Sequence, residues 1–219
     1  MAIVLVGASL DLGVSRETVT LLNPDFSSIL KPSVVGLSDT VLAQLWSHWL
    51  LIKEWNARIN LTAIEDDCEA AWLHYRDSLS ALDSLPSTGS IVDMGSGAGF
   101  PGIPLAIARP SQTFYLVEPR RKRVSFLRVV VGRLGLSNVV VHHGRSTDTP
   151  PELCEAVVSR ATFSAEDDLK ACLRWLSPTG VLIAYRAGDS PLLSGALSSV
   201  SYSLGEHRRR LDLVKGDTI

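Results

Sequence analysis

The sequence predicts an α/β fold built on a mostly parallel sheet, preceded by a helical segment. Three observations carry that prediction: short β-branched runs alternate with helical patterns after Gly89, a glycine-rich turn closes the first of those runs, and the preceding segment repeats its apolar residues at helical spacing. Alternating strands and helices form βαβ units, and βαβ units build parallel sheets.

A chain of 219 residues is long enough for a full core, and 46% hydrophobic with 20% charged residues excludes disordered, collagenous and coiled-coil classes. The formal net charge is only −2, so bulk charge does not predict a nucleic-acid binder. The distribution is uneven, however. Residues 1–92 are net acidic and 93–219 net basic, and Arg120, Arg121, Lys122, Arg123, Arg128, Arg133 and Arg145 share their stretch with a single acid, Glu118. Cys68, Cys154 and Cys172 lie far apart without Cys-x-x-Cys spacing, which argues against a disulfide framework or structural zinc and for a reducing cytoplasm. The opening Met-Ala-Ile-Val-Leu-Val-Gly has no cation before it and is too short to span a bilayer, so neither export nor membrane insertion is expected.

Residues 1–36 are loosely patterned, with Pro24 and Pro32, and read as a lead-in holding one short helix. The helical extension covers 37–88. Ser38 is a plausible N-cap, and Leu42, Leu45, Trp49 and Ile52 recur on one face, widened by Trp46 and Trp55, to an end near Arg58. A second helix is expected from about Asp66 to Leu82, with Trp46, Trp49, Trp55 and Trp72 in the core between the two. Pro86 to Gly89 then breaks the chain. The α/β domain follows over 89–219. Strands are read at 91–93, 114–118, 139–141, 156–158 and 181–184. One helix spans 120–135 with Val124, Leu127, Val131 and Leu134 inward, another 165–176 behind a Ser164-x-x-Asp167 capping box. Residues 200–204 and 211–214 close the sheet as an antiparallel pair.

The turn Ile91-Val92-Asp93-Met94-Gly95-Ser96-Gly97-Ala98-Gly99-Phe100-Pro101-Gly102 carries the chemistry. Residues 97–102 satisfy G-x-G-x-x-G, and Glu118 stands where a ribose-binding acid belongs, which taken alone suggests a dinucleotide. Asp93-x-Gly95-x-Gly97-x-Gly99 equally resembles the first motif of class I S-adenosylmethionine-dependent methyltransferases. The acid decides between them: a pyrophosphate needs free N–H donors and is repelled by a carboxylate, whereas a sulfonium cation tolerates one. Pro101 and Pro104 also remove two donors. The fold class expected is therefore α/β of the class I, Rossmann-like methyltransferase type, with seven strands, mostly parallel, and antiparallel C-terminal ones.

Further residues narrow the choice. Neither an Asn/Asp-Pro-Pro-Tyr tetrapeptide nor a Pro-Cys nucleophile is present, which disfavours exocyclic-amine and cytosine carbon-5 methylation. Trp55-Asn56, Asn60-Leu61-Thr62, His74-x-x-Asp77-Ser78, the turn extended as Gly99-Phe100-Pro101-Gly102-Ile103-Pro104-Leu105, Lys122-Arg123-x-x-Phe126-Leu127, Arg145 and Ser159-Arg160-Ala161 together resemble the bacterial small-subunit rRNA guanine-N7 methyltransferases, also called glucose-inhibited division protein B. The resemblance covers about 55–214. It implies S-adenosyl-L-methionine as cofactor and nitrogen-7 of one guanine in the decoding-region loop of 16S rRNA, in naked RNA or the small ribosomal subunit, as acceptor. By the same resemblance Asp93, Gly95, Gly97, Phe100, Glu118, Ser146, Thr147 and Arg160 contact the cofactor, while Asn60, His74, Arg145 and Arg209 surround the guanine and the RNA. A monomer without metal is expected. Nitrogen-7 carries a lone pair and no proton, so its attack needs alignment and no general base.

The chain departs from the family pattern at Ser146-Thr147, where an acid is usual, at Arg186-Ala187-Gly188 in place of Lys-Gly, and at Pro119. Two other readings remain open at this point: a methyltransferase of the same fold acting on a small molecule, and a cofactor-binding module without turnover. The cation run at 120–123 opposes the helix dipole at its own N-terminus, which favours phosphate contact over a plain solvated face.

Overall fold

A computed structural model describes residues 3–4, 20–32, 36–160 and 166–216. The elements, in chain order, are β1 (Ile3–Val4) paired antiparallel with β2 (Thr20–Leu21), α1 (Pro24–Leu30) and α2 (Asp39–Ile59). Helix α3 (Asp67–Ala70) runs through a π-helical segment (Ala71–Arg76) into α4 (Asp77–Leu79), followed by a 3₁₀ turn (Leu82–Ser84). Then come β3 (Ile91–Met94), α5 (Gly102–Ala108), β4 (Phe114–Glu118), α6 (Arg121–Leu134), β5 (Val139–His143), β6 (Cys154–Arg160), α7 (Glu166–Leu173), β7 (Leu176–Ala187), β8 (Ala196–Leu204) and β9 (His207–Lys215). Ser164, the expected cap of α7, and Ala161 lie outside the described residues, as does most of the 1–36 lead-in.

Helix α2 begins where Ser38 caps it, its side chain accepting the Val41 N–H at 3.3 Å. It ends where Asn60 turns left-handed at φ 47°, one of the few side chains that tolerate that conformation. The predicted second helix exists but is not a uniform α-helix, because its middle turn is π-helical. Helix α6 lacks a side-chain cap: Arg120 stands at the N-cap position in extended backbone, and Gly135, left-handed at φ 63°, closes the other end.

The seven-stranded sheet has the order β5-β4-β3-β6-β7-β9-β8. Strands β5, β4, β3, β6 and β7 are mutually parallel, and β9 enters antiparallel between β7 and β8. The chain reverses its direction of travel across the sheet at β3, so a crevice opens outside the carboxyl ends of β3 and its neighbours, where open α/β sheets bind ligands.

Alternation along β3 divides the interior. Ile91 faces the larger core with Trp46, Trp49, Tyr75, Ile103 and Phe126, while Val92 and Met94 face a smaller one with Val157, Cys172 and Trp175. The N-terminal helices pack on α5 and α6 and share the larger core with the sheet. Each fully buried side chain of that shared core, Trp49 and Leu45 among them, contributes about 1.5–3 kcal/mol to holding the helical layer on the sheet.

Candidate active site

The glycine turn follows β3 directly. Gly95, Gly97 and Gly99 all have positive φ, at 78°, 58° and 97°, so the backbone folds back on itself outside the strand end. A Cβ added at Gly97 would make ordinary van der Waals contact with Arg123 Nη1 at 3.7 Å and the Gly95 carbonyl oxygen at 3.8 Å, so the left-handed φ rather than crowding favours glycine there. At Gly102 a Cβ would lie 2.3 Å from Leu116 Cδ2 and 2.6 Å from Asp93 Oδ2, so only glycine lets α5 close on the sheet.

Glu118 ends β4 and is 2% exposed. Its Oε2 accepts the Gly97 N–H at 2.9 Å and its Oε1 accepts the Arg120 N–H at 2.8 Å. The carboxylate thus ties the turn to the neighbouring strand, and each oxygen retains a lone pair for a further donor. Beside it lies a cavity of about 320 Å³ lined by Met94, Gly95, Val117, Pro119, Arg145, Ser146, Thr147 and Asp168. The Arg145–Thr147 wall is itself fixed: Asp148 Oδ2 accepts the Arg145 N–H at 2.8 Å, and the buried Trp175 indole donates to the Ser146 carbonyl at 2.8 Å.

Asp93 lines neither this cavity nor the larger one described next. It is fully buried, with Oδ2 accepting the Gly102 N–H at 2.9 Å and Oδ1 without a partner. Burial raises its pKa from 3.8 to about 7. Folding therefore favours the neutral acid: this contribution to stability is complete below pH 3.8 and is lost as pH rises toward 7. Asp93→Asn, which is neutral at every pH, is expected to match the parent's urea midpoint at pH 4. At pH 8 its midpoint should lie above the parent's, reflecting up to about 4 kcal/mol in unfolding free energy at 1.36 kcal/mol per pKa unit. Equal midpoints at both pH values would show that the buried acid is not held neutral.

The larger cavity, about 510 Å³, lies at the carboxyl ends of β6 and β7 beneath the π-helix and is lined by His74, Asp77, Arg160, Tyr185, Arg186 and Arg209, with Ile64 and Leu73 as its apolar part. His74 sits inside the π-helical turn, an irregularity common at functional sites. The Leu73 and His74 carbonyls of that turn accept from Arg160 Nη1, at 3.2 and 3.3 Å, and the His74 carbonyl also accepts from the Ser78 hydroxyl. The His74 ring stacks on Phe100 with centroids 4.5 Å apart, and its Nε2 meets Thr62 Oγ1 at 2.8 Å. Burial, then the charge of Arg160, lowers its pKa to about 3, so the ring is neutral.

The Trp55-Asn56 and Asn60-Leu61-Thr62 pair acquires a reason here. Asn56 Oδ1 accepts the Leu61 and Thr62 N–H groups while its Nδ2 donates to the Thr62 carbonyl, which delivers Thr62 to His74. Asn60 itself is the exposed cap of α2 and lines neither cavity.

The structure groups the expected residues differently from their assignment by resemblance. Gly95, Ser146 and Thr147 line the smaller cavity and Glu118 borders the turn beside it. Arg145, assigned to the acceptor, lines that smaller cavity as well. Arg160, assigned to the cofactor, lines the larger one with His74 and Arg209, and Phe100 lines neither but stacks on His74. Asp77 entered only as part of the His74-x-x-Asp77-Ser78 match, without a role of its own, and Tyr202 and Tyr185 carried no signal as site residues. Asp77 Oδ2 pairs with Arg160 at 2.9 Å, Asp77 Oδ1 accepts the Tyr202 hydroxyl at 2.7 Å, and Tyr185 donates to the Ser78 carbonyl at 2.6 Å. Only the sheet register could have brought them together. Among the described residues no helix is long and apolar enough to cross a membrane, and no group of three His, Cys, Asp or Glu is placed to hold a metal.

Comparisons with known proteins agree with this architecture. Among solved structures, an S-adenosylmethionine-dependent methyltransferase from Aquifex aeolicus superposes with a TM-score of 0.53 at 18% identity, covering 68% of this chain and 94% of that one. A fibrillarin/Nop5p complex gives 0.51 at 15% identity, covering 66% and 83%. These two matches show the fold. The ribosomal RNA small subunit methyltransferase G of Lachnoclostridium phytofermentans is 36% identical over 189 residues, covering 83% of this chain and 77% of its own length. Its counterpart in Wolinella succinogenes is 38% identical over 157 residues, covering 72% and 81%. The family model of rRNA small subunit methyltransferase G matches residues 42–192, and the chain belongs to that family.

Proposed function

We propose that this protein transfers a methyl group from S-adenosylmethionine to nitrogen-7 of one guanine in small-subunit rRNA. The smaller cavity suits the cofactor: the glycine turn at its edge, the Glu118 carboxylate with lone pairs left for ribose hydroxyls, and Asp168 in the lining match a neutral sugar and a cationic sulfonium. When bound, the cofactor supplies an electrophilic methyl. The chain's part is to hold the acceptor guanine in line with it and to exclude water.

One observation carries the choice of acceptor atom: among the described residues, the lining of the larger cavity presents no free base. His74 has a pKa of about 3, both Asp77 oxygens are engaged by Arg160 and Tyr202, and the remaining charged groups are guanidiniums. Methylation at an amine or ring N–H would leave a proton to be removed, whereas nitrogen-7 brings none. Arg186 and Arg209 at this cavity suit the phosphates and O6 of a guanine drawn out of its helix. His74, Arg209 and Arg160 at the larger cavity serve the acceptor, and Gly95, Gly97, Glu118, Arg145, Ser146 and Thr147 at the smaller one and its turn serve the cofactor, with Phe100 supporting His74, Asp93 acting through the Gly102 backbone and Asn60 capping α2 outside both. A cytoplasmic, metal-independent monomer completes the reading.

The test is nucleoside mass spectrometry of small-subunit rRNA from cells lacking the gene. Loss of one 7-methylguanosine, restored by the purified protein and S-adenosylmethionine, is the expected result; persistence of the modification would overturn the reading.

The exposed cations at the start of α6 extend this surface. Arg121→Glu with Lys122→Glu is expected to weaken RNA binding and lower the slope of log affinity against log salt by about two. Arg123 is spared because its guanidinium lies beside Gly97. An unchanged slope would return these cations to plain solvation.

A further inference from the structure

We propose that His48 is a positioning residue for the glycine turn, through which the N-terminal helices take part in binding the cofactor. The proposal rests on the cofactor reading above. His48 lies in the middle of α2 and is fully buried, with its Nε2 2.9 Å from the Ala98 carbonyl and its Nδ1 3.0 Å from the Tyr75 hydroxyl. A carbonyl only accepts, so Nε2 carries the ring proton and Nδ1 receives the hydroxyl of Tyr75. Burial holds the ring neutral, with a pKa of about 3, so this one tautomer persists at physiological pH.

Ala98 stands between Gly97 and Gly99, both left-handed, in a turn whose backbone has little intrinsic preference. Two side chains reach the two sides of that turn. Glu118 holds the Gly97 N–H from the sheet, and His48 holds the Ala98 carbonyl from the helical layer. The ring also packs closely enough that a Cβ on Gly99 would come within 3.2 Å of Nε2, and it meets Phe100 at a centroid distance of 5.1 Å. A packing role alone does not require histidine. Its neighbours on the same face of α2, Leu45, Trp49 and Ile52, show that this face is otherwise apolar or aromatic, and a fully buried imidazole is costly unless both nitrogens are bonded. The bond to Ala98 orients a peptide plane in the turn whose Gly95 lines the smaller cavity.

Two substitutions separate the two bonds. Glutamine places its amide nitrogen as many bonds from Cα as Nε2 and can still donate to Ala98. Asparagine reaches only the Nδ1 position and keeps Tyr75 alone. S-adenosylhomocysteine binding, followed by calorimetry, is expected to weaken about tenfold in His48→Asn and to stay within about threefold of the parent in His48→Gln. Leu45→Ala, on the same face of α2, serves as the stability control: it should lower the melting temperature at least as far while leaving affinity unchanged. Equal affinities in the asparagine and glutamine variants, or affinity that follows melting temperature across all three, would overturn the proposal while leaving the cofactor reading intact. A parent protein that fails to bind the probe would overturn both.

Discussion

Glu118→Ala is expected to abolish measurable binding of S-adenosylmethionine, raising its dissociation constant about a hundredfold or more while the chain stays folded. The carboxylate does two things at once. It fixes the glycine turn by accepting the Gly97 N–H at 2.9 Å, and it fixes the start of α6 by accepting the Arg120 N–H at 2.8 Å. Hydrogen bonds to a charged group contribute about 1.5–3 kcal/mol each, and a tenfold change in affinity corresponds to about 1.4 kcal/mol. Removing the group loosens the turn and deletes the acceptor that faces the ribose, so the effects fall together on cofactor affinity. Both freed N–H groups border the crevice and can be hydrated, so the loss of stability is smaller than the loss of binding. Glu118→Gln keeps one acceptor and the side-chain length, and an intermediate loss of about tenfold is expected. Calorimetry with S-adenosylhomocysteine decides it: unchanged affinity in the alanine variant would remove Glu118 from the site.

Glu118 was legible because two local signals coincide, a β-branched run that ends on an acid and a glycine turn upstream of it. The same holds for the strand-and-helix alternation, for Ser38 as a cap, and for the terminal antiparallel pair, each of which needs only near neighbours in sequence. What the sequence did not disclose depends on distant contacts. The π-helical turn at Ala71–Arg76 follows a pattern that periodicity reads as ordinary helix, and it takes Arg160 from β6 to occupy the carbonyls it exposes. Asp93 looked like a cofactor ligand because it ends a strand before glycines. Only the close approach of Gly102 shows that the carboxyl points into the protein, against the first turn of α5. His48 gave no signal, since its partners Tyr75 and Ala98 lie 27 and 50 residues away.

The largest stability effect is expected at Asp77. Its two oxygens join three elements that meet only at the acceptor cavity: the helical segment that carries it, Arg160 at the end of β6, and Tyr202 on the outer strand β8. The side chains of the ion pair are 7% and 15% exposed, so water screens them little. Breaking such a pair by removing one partner costs about 3–5 kcal/mol, because the other charge stays buried after its counter-charge is gone. Asp77→Ala also deprives the Tyr202 hydroxyl of its acceptor, and against a typical total stability of about 5–15 kcal/mol the variant should be close to unfolding at growth temperature. Asp77→Asn keeps one acceptor oxygen, enough for Tyr202 or Arg160 but not both, and is expected to lose less than the alanine variant. Pairing Asp77→Ala with Arg160→Met removes both charges and should recover part of the loss, so that the double variant is more stable than Asp77→Ala alone. Urea unfolding of the parent, of Asp77→Ala and Arg160→Met singly, and of the double variant tests the cycle. Additive losses would mean that the two side chains act independently. A coupled result would mean that the His74 and Leu73 carbonyls, the π-helical turn and the guanidinium are held as one unit, so that the wall of the acceptor cavity is set by this pair before any RNA arrives.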